Sequence, residues 1–205
     1  DYKLPIGCDV PETIILADGD FPSHPLALEW LRQCPYVVCC DGAANTYIRS
    51  GRMPEAIVGD GDSLLPDIKE RYASLIHSEA EQETNDLSKA FRFCLSQERK
   101  RITIMGATGK REDHTIGNVS LLADYMEQAE VSMMTDYGIF VPIREDSMFE
   151  SYIGQQISVF NMNSTALSAE GLAYPLSVFT NWWQGTLNEA LARHFIICLL
   201  YTSPS

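Results

Sequence analysis

The chain has 205 residues, 45% of them hydrophobic, and a formal net charge of −13. This length and composition predict a globular protein with a core large enough for one large domain or two small ones. The negative charge argues against a surface that holds nucleic acid, and no apolar run approaches the roughly 18 residues of a membrane span, so we expect neither a nucleic-acid nor a membrane partner.

Strand-like and helix-like segments alternate between residues 13 and 136, a pattern typical of βαβ units and a mostly parallel sheet. Strands are predicted at residues 13–17, 36–40, 56–59, 101–105 and 131–135. The first three are continuous apolar runs, as expected of strands buried on both faces. Helices are predicted at residues 25–33, 43–49, 65–75, 84–97 and 115–128, and Thr84 or Asn85 can cap the fourth.

After about residue 140 the sequence pattern changes to short segments of β-forming residues, separated by glycine and proline. These segments are residues 140–141, 156–161, 172–174 and 195–201. Such pieces predict a small antiparallel sandwich or barrel. We therefore predict an α/β domain with a mostly parallel sheet over residues 1–140 and a small all-β domain over residues 141–205.

The cysteines predict a reducing environment. They stand at positions 8, 34, 39, 40, 94 and 198, with neither a CxxC pair nor the spacing of metal ligands. Buried, reduced thiols of this kind are typical of cytosolic proteins. The first residues also lack the basic stretch and apolar core of a signal peptide, so we expect a cytoplasmic location.

Acidic residues follow the first three predicted strands. Asp18, Asp41 and Asp60 each come directly after an apolar run, and Asp62 follows two residues later. In open α/β sheets ligands bind outside the carboxyl ends of the strands, so these carboxylates should line a crevice. Oxygen ligands suit Mg²⁺, which usually arrives with substrate phosphates.

The Asp-Gly-Asp motif at residues 60–62 has two other interpretations. A calcium-binding EF-hand loop is excluded, because its fifth and twelfth positions would be Leu64 and Arg71. An ordinary polar turn stays open as an alternative, although Asp18 and Asp41 at equivalent strand ends weigh against it.

Two further segments are candidates for binding phosphate. Asp86 and Lys89 stand three residues apart at the predicted start of the fourth helix, where anions bind favourably. The alternative is that Asp86 only complements the helix dipole while Lys89 is solvated.

The second segment is the glycine-rich loop at residues 106–114, which holds Lys110, Arg111 and His114. It is not a Walker A loop, because only two residues separate its glycines and Arg111 follows the lysine. The concentration of cations nevertheless predicts an anion site in an otherwise acidic protein. The alternative for His114 is a residue at the start of a helix that bonds only its neighbours.

Adjacent tryptophans, Trp182 and Trp183, precede the small polar residues Thr186 and Asn188. A tryptophan here can stack on an aromatic cationic ligand. We expect at least one of the pair to belong instead to the core of the β domain.

Six short segments, in their order along the chain, resemble those of the thiamine pyrophosphokinase family. The matching segments are residues 17–19 (ADG), 40–45 (CDGAAN), 59–63 (GDGDS), 84–89 (TNDLSK), 106–113 (GATGKRED) and 185–188 (GTLN). The resemblance implies an N-terminal catalytic domain that binds nucleotide and metal, and a C-terminal domain that binds thiamine and forms a homodimer. It also implies Mg²⁺-dependent transfer of a diphosphate group from ATP, the co-substrate, to thiamine, giving thiamine diphosphate and AMP.

The resemblance also implies roles for individual residues. The catalytic carboxylates would be Asp41, Asp60, Asp62 and Asp86, and the last three would hold Mg²⁺. The ligand contacts would be Asn45 in the active cleft, Lys89, Arg111 and Asp113 on the nucleotide, and Thr186, Asn188 and Trp182 or Trp183 on thiamine, from the partner subunit.

Two other functions remain open at this stage. A metal-dependent phosphohydrolase would use the same carboxylates on a nucleotide or phosphoester and water. A non-catalytic sensor would bind thiamine or nucleotide through the β domain, although it would have little need of four acidic groups on one sheet edge.

Overall fold

The computed structural model describes residues 1–5, 9–78 and 83–199. Cys8 and residues 200–201 of the last predicted strand lie outside these ranges. The chain divides into two compact units, one of Ile6–Pro142 and the other of Asp1–Pro5 with Ile143–Ser205.

The first unit is built on a seven-stranded sheet with the strand order β4-β3-β2-β1-β5-β6-β7. The strands are β1 (Thr13–Leu16), β2 (Val37–Cys40), β3 (Ala56–Val58), β4 (Ile76–His77), β5 (Arg101–Met105), β6 (Glu130–Met134) and β7 (Ile139–Phe140). The first six run parallel, and β7 pairs antiparallel with β6 at one edge. Strands β2 to β4 are added on one side of β1, and the chain then crosses over to place β5 on the other side. Ligands are expected at the carboxyl ends of the strands at such a switch point.

Helices cover both faces of this sheet. They are α1 (Pro25–Gln33), α2 (Ala43–Arg49), α3 (Pro66–Arg71), α4 (Asp86–Ser96) and α5 (Glu112–Tyr125), with a 3₁₀ turn at Ala73–Leu75. Ile15 of β1 packs in one hydrophobic cluster with Phe91 of α4, whereas its neighbour Ile14 packs in another with Trp30 of α1. Because successive strand residues point to opposite faces, both faces are buried, which explains the continuous apolar runs.

Three predicted helices differ in their bounds from those observed: the helix predicted at residues 84–97 is α4, slightly shorter at each end, and the other two differ more. The helix predicted at residues 65–75 breaks at Tyr72, whose φ of −114° departs from helical geometry, and the chain then forms the 3₁₀ turn and the unpredicted strand β4. Helix α5 begins at Glu112 rather than at residue 115, because Arg111 is extended and Glu112 and Asp113 occupy a first turn that favours acidic side chains.

Five of the cysteines lie in the described residues and all five are free thiols. Cys39, Cys40 and Cys94 are buried, as predicted, while Cys34 and Cys198 are partly exposed. Burial raises the pKa of the Cys94 thiol to about 12 and raises the pKa of Cys39 and of Cys40 as well. These thiols are therefore protonated and unreactive at neutral pH.

The second unit contains only short antiparallel strands and one 3₁₀ turn among its described residues. The strands are β8 (Ser147–Glu150), β9 (Gln156–Ile157), β10 (Leu167–Glu170), β11 (Asn188–Glu189) and β12 (His194–Leu199), and the turn is Trp182–Gly185. One sheet has the order β10-β12-β8, and β11 pairs with β9. Phe149 stacks between Tyr2 and Phe195, with ring centroids 4.7 and 4.9 Å away, so the first residues of the chain pack within this unit.

The predicted fold class, a mostly parallel α/β domain followed by a small all-β domain, is confirmed. Individual strands after residue 138 were placed less well. The piece predicted at residues 140–141 belongs to the large sheet as β7, and the piece at residues 172–174 is an irregular segment with one bridge from Leu172 to Ala190. The strand nearby is β10, and Gly171, with a φ of 80°, ends it. Strands β8 and β11 were not predicted, because strands this short carry little periodic signal.

Every helix in residues 1–5, 9–78 and 83–199 is too short or too polar to cross a lipid bilayer.

Candidate active site

Two of the predicted carboxyl groups lie against Gly59, the residue after β3, and a third belongs to the next residue in the chain. Asp41 follows β2, Asp60 follows Gly59, and Asp86 is the first residue of α4. A methyl group added at Gly59 would lie 2.8 Å from Asp41 Cβ, 3.3 Å from Asp41 Cγ and 3.4 Å from Asp86 Cγ. The parallel strands therefore bring carboxyl groups from separate parts of the chain around one point.

Asp41 is the most constrained member of this acidic cluster, which we define as Asp41, Asp60 and Asp86. Asp41 is only 4% exposed. Its backbone φ is 30°, an uncommon value for a residue other than glycine. Its Oδ2 accepts a hydrogen bond of 3.0 Å from the backbone N–H of Ser63, whereas its buried Oδ1 has no hydrogen-bond partner among the described residues.

Burial raises the pKa of the Asp41 carboxyl, and the nearby charges of Asp86 and Asp60 raise it further, against a lowering by the Ser63 N–H. Like charges within a few ångströms of each other disfavour ionisation. The cluster is thus an arrangement in which a bound cation would relieve both the repulsion and the unsatisfied oxygen.

The loop after β3 is held by hydrogen bonds from outside it. Asn45 of α2 donates from Nδ2 to the Ser63 carbonyl at 2.8 Å and accepts at Oδ1 from the Leu65 N–H at 3.0 Å. Both ends of the Asn45 amide are therefore used to position this loop. Lys69 of α3 donates from Nζ to the Gly61 carbonyl at 2.9 Å.

Asp60 and Asp62 are both exposed. Asp60 Oδ1 accepts from the Asp62 N–H at 3.0 Å, which fixes the turn between them. The segment is therefore a polar turn, and the same turn exposes the carboxylates of Asp60 and Asp62 to solvent on either side of Gly61. A polar turn and a ligand site are thus compatible interpretations.

Lys89 lies inside the protein rather than in solvent. It is 5% exposed, and its Nζ lies 3.2 Å from Asp86 Oδ1 across the first turn of α4. Asn85 caps that turn by accepting from the Ser88 N–H. The alternative of a solvated Lys89 is wrong, because the side chain is buried with its ammonium group directed at the acidic cluster.

The glycine-rich loop packs closely on the loop after β1. The backbone N–H of Gly19 donates to the Gly106 carbonyl at 2.6 Å, and the backbone N–H of Asp20 donates to the Thr108 carbonyl at 2.8 Å. A methyl group at Gly19 would lie 2.3 Å from the Thr108 carbonyl oxygen, so only glycine permits this approach.

Two cations of this loop, Lys110 and Arg111, already have acidic partners. Arg111 lies 2.6 Å from Asp113 at the start of α5, and the Asp113 side chain also accepts from the His114 N–H. Lys110 Nζ lies 3.0 Å from Asp18 Oδ1. Asp18, predicted as a member of the acidic edge, is thus at that edge but paired with a lysine.

The carboxylates do not form a complete cage for a metal. The described residues contain no group of three or more His, Cys, Asp and Glu side chains arranged to hold an ion. The unpartnered Asp41 oxygen and the mutual repulsion of the cluster nevertheless fit a cation. Mg²⁺ commonly takes only one or two protein carboxylates, with water and substrate phosphates completing its shell.

The predicted thiamine contacts lie in the second unit. Trp182 and Trp183 are 48% and 72% exposed, and Trp182 packs edge-on against Phe160 with ring centroids 6.0 Å apart. The expectation that one of the pair belongs to the core is therefore wrong, because both lie in an exposed 3₁₀ turn outside the hydrophobic cluster of this unit. Thr186 donates from its hydroxyl to the Trp183 carbonyl at 2.7 Å.

Asn188 is buried, and its side chain bonds the backbone of Tyr174 at both ends, accepting from the N–H at 3.0 Å and donating to the carbonyl at 2.8 Å. One amide hydrogen of Asn188 remains for another acceptor. Its role toward thiamine stays a prediction.

Sequence reasoning missed two positioning groups. Ser63 binds Asp41 through its backbone N–H, which every residue except proline possesses, so no side-chain signal marks it. Lys69 stands eight residues beyond Gly61, and its contact depends on where α3 packs. Neither is visible without the tertiary structure.

Comparison with known proteins finds one family in both units. A model described as the catalytic domain of thiamin pyrophosphokinase matches residues 27–134, and one described as its substrate-binding domain matches residues 138–199. Thiamine pyrophosphokinase 1 of Oryza sativa subsp. japonica is 30% identical over 129 residues, which are 51% of this chain and 49% of that protein. Thiamine pyrophosphokinase of Bacillus subtilis (strain 168) is 34% identical over 86 residues, 40% of each chain. The chain thus spans about half the length of the curated relatives that it matches.

Solved structures resemble this fold over most of the chain. The yeast thiamin pyrophosphokinase structure has a TM-score of 0.75 and 17% identity, covering 96% of this chain and 87% of that one. The Bacillus subtilis thiamine pyrophosphokinase structure has a TM-score of 0.71 and 20% identity, covering 92% and 93%. At these identities the likeness shows a shared fold.

Proposed function

This chain belongs to the thiamin pyrophosphokinase family, and on that basis we propose that it transfers a diphosphate group from ATP to the hydroxyl of thiamine. The thiamine oxygen forms a bond to the β-phosphorus while the bond from that phosphorus to the oxygen bridging the α-phosphate breaks. The products are thiamine diphosphate and AMP. The observation that carries the proposal is the convergence of Asp41, Asp60 and Asp86 around Gly59.

The proposed metal is Mg²⁺, held by Asp60, Asp62 and Asp86. When bound, it would neutralise charge on the transferred diphosphoryl group. The unpartnered, buried oxygen of Asp41 supports a cation nearby, and the open carboxylates after β3 suit an ion that arrives with the nucleotide.

The remaining residues of the first unit would bind the nucleotide and handle the proton. Lys89, Arg111 and Asp113 are the proposed nucleotide contacts. The thiamine hydroxyl must lose its proton as the new bond forms, and Asp41 and Asp86 are the two candidates to accept it. The raised pKa of Asp41 lets it hold a proton more readily than an ordinary carboxylate.

The second unit would bind thiamine. We propose contacts from Thr186, Asn188 and one of the tryptophans at positions 182 and 183, contributed across a homodimer to the site of the other subunit. The exposed aromatic side chains of this unit support such a role. Free, buried thiols support a cytoplasmic location.

Mass spectrometry of a reaction containing the protein, Mg²⁺, ATP and thiamine tests the proposal, with a control that lacks thiamine. Thiamine diphosphate and AMP in equal amounts are expected. Thiamine monophosphate with ADP would keep the site and change the reaction. Loss of ATP without thiamine would indicate a phosphohydrolase, and binding without product would indicate a sensor.

The variant Asp62→Asn tests the metal assignment. We expect turnover to fall by about 100-fold or more, because the variant loses one of the carboxylates proposed to hold Mg²⁺, which would neutralise the charge on the diphosphoryl group. The melting temperature should stay within a few degrees. Asp124→Asn, an exposed residue of α5 away from the strand ends, is the matched control and should retain activity. An active Asp62→Asn enzyme would remove Asp62 from the metal site.

A further inference from the structure

Lys110 adopts a backbone conformation that lysine rarely takes. Its φ is 57°, in the left-handed region where a side chain is disfavoured and glycine is the usual occupant. Residues held in this region persist only where the surroundings impose it, and they cluster at ligand-binding sites. The conformation of Lys110 therefore needs an explanation from its contacts.

The ion pair with Asp18 does not supply that explanation. The pair joins the loop after β5 to the loop after β1 at 3.0 Å, but the side chains of Lys110 and Asp18 are 54% and 45% exposed. Exposed pairs of this kind contribute little to stability, because water competes for both charges. A tight turn accounts for the backbone, because the Arg111 N–H donates to the Gly109 carbonyl at 2.7 Å across Lys110. Glycine would close the same turn without strain, so neither the turn nor the exposed ion pair gives a reason for a lysine at this position.

The location of the ammonium group points to a ligand. The Asp18–Lys110 pair lies at a cavity of about 140 Å³ on the carboxyl ends of the strands, lined also by residues 17, 19–21, 43 and 46. A methyl group at Gly42 would lie 2.5 Å from Asp18 Oδ2, so Asp18 rests against the chain directly after Asp41. Lys110 is therefore held through Asp18, which lies against Gly42, the residue after Asp41, and it directly precedes Arg111 in the chain.

We propose that Lys110 binds the polyphosphate chain of the nucleotide, and that Asp18 holds its ammonium group in position until the nucleotide arrives. This inference rests on the proposed function. A phosphate oxygen replaces the Asp18 carboxylate as the partner of the ammonium group, and the exchange costs little because the resting pair is exposed. The strained backbone is retained because it directs the side chain across the crevice.

The variant Lys110→Gly separates binding from folding. Glycine adopts a φ of 57° without strain, so the melting temperature should stay the same or rise. The ammonium group is lost, so the Kd for ATP measured by calorimetry should increase about tenfold, the factor that corresponds to 1.4 kcal/mol. The Kd for inorganic tripolyphosphate should increase equally, while binding of adenosine and the KM for thiamine should not change.

Lys110→Met and Lys100→Met form a matched pair of lysine variants. Lys100 is exposed and precedes β5 at the opposite end of the strand from the crevice. Lys110→Met should lose affinity for ATP as Lys110→Gly does, whereas Lys100→Met should bind ATP like the unmodified protein.

Asp18→Asn tests the holding role. It frees the ammonium group, so ATP should bind as tightly as before or more tightly, and the double variant Asp18→Asn with Lys110→Gly should bind like Lys110→Gly alone. Weaker ATP binding by Asp18→Asn would overturn that role. A Lys110→Gly protein that keeps its ATP affinity within twofold would overturn the binding role, whatever its melting temperature.

These outcomes are distinguishable from a failure of the proposed function. An unmodified protein that binds ATP but forms no thiamine diphosphate would refute the proposed reaction, while the calorimetric comparison would still decide the role of Lys110. An active unmodified enzyme with unchanged ATP affinity in Lys110→Gly would refute only the inference about Lys110.

Discussion

Asp41 combines three costly features in one residue: a φ of 30°, almost complete burial and a carboxylate oxygen that none of the described residues bonds. Backbone strain of this kind costs about 1–2 kcal/mol, and an unsatisfied buried polar group costs about 1–3 kcal/mol. The Ser63 N–H offsets only part of this. Such a residue is expected where a ligand, here a cation, restores the missing contact.

The pKa of Asp41 predicts how stability depends on pH. Because burial raises this pKa above 3.8 in the folded protein, the folded state binds the proton more tightly than the unfolded state. The contribution of Asp41 to the free energy of unfolding is then largest below pH 3.8 and falls as pH rises through the folded-state pKa. We expect Asp41→Asn to remove this fall and to raise the melting temperature at pH 7, as measured in thermal melts between pH 3 and 8.

Asp136 provides a control of opposite sign. The Ser23 hydroxyl, and then the His24 N–H, lower the pKa of Asp136 below 3.8. Its stabilising contribution is present above pH 3.8 and is lost as pH falls through the folded-state pKa. Asp136→Asn should therefore lower the melting temperature at pH 7 and change it little at pH 3. If both variants shifted the melting temperature at pH 7 in the same direction, the assignment of opposite pKa shifts would be wrong.

The loops that leave the strand ends form the candidate site, and their glycines set how closely they approach. Gly59 has a φ of 152°, a value that favours glycine, and Asp41 Cβ lies 2.8 Å from the point where a side chain would begin. The acidic cluster therefore requires that position 59 have no side chain. Helices α2 and α3 then fix the following loop through Asn45 and Lys69.

Gly59→Ala tests this requirement. We expect a loss of about 1–3 kcal/mol in the free energy of unfolding from backbone strain, with a further loss from displacement of Asp41, and activity should fall with it. Gly138→Ala is the matched control, because the space around Gly138 holds no described atom within 4 Å of an added methyl group. Denaturant melts should leave Gly138→Ala within about 0.5 kcal/mol of the unmodified protein. Equal stability of the two variants would contradict the packing around Gly59.

At the scale of the whole molecule, the predicted substrate contacts are divided between the two units. Carboxylates and cations that suit a metal–nucleotide complex lie in the α/β unit, whereas the exposed tryptophans lie in the β unit. This division agrees with a catalytic-domain model matching residues 27–134 and a substrate-binding-domain model matching residues 138–199.

The two tryptophans should respond differently to substitution. Trp183 is the more exposed, whereas Trp182 packs against Phe160. We expect Trp183→Ala to raise the KM for thiamine about tenfold through loss of stacking on the cationic ring, with the KM for ATP unchanged. Trp182→Ala should instead lower the melting temperature, because Phe160 loses its partner. Steady-state kinetics and thermal melts of both variants test this, and an unchanged thiamine KM in Trp183→Ala would assign the stacking role elsewhere.

Local sequence patterns predicted the α/β elements well, because each pattern depends on which faces of one strand or helix are buried. Continuous apolar runs mark strands buried on both faces, and the observed strand β5 and the helices α1 and α2 have the predicted bounds. The β unit was predicted only as a class, because strands of two to four residues are defined by their partners rather than by their own periodicity.

The sequence by itself determined the order of the elements and the presence of acidic residues at the ends of parallel strands, because both follow from residue types at fixed spacing. Only the tertiary structure decided how those residues are used. Asp18 forms an ion pair with Lys110, and Lys89 is buried against Asp86. Both ends of the Asn45 amide bond the backbone of the loop after β3, and one oxygen of Asp41 has no hydrogen-bond partner among the described residues. Each of these contacts joins residues whose approach depends on how strands and helices pack, and burial and pairing then set the charge that a side chain can present to a ligand.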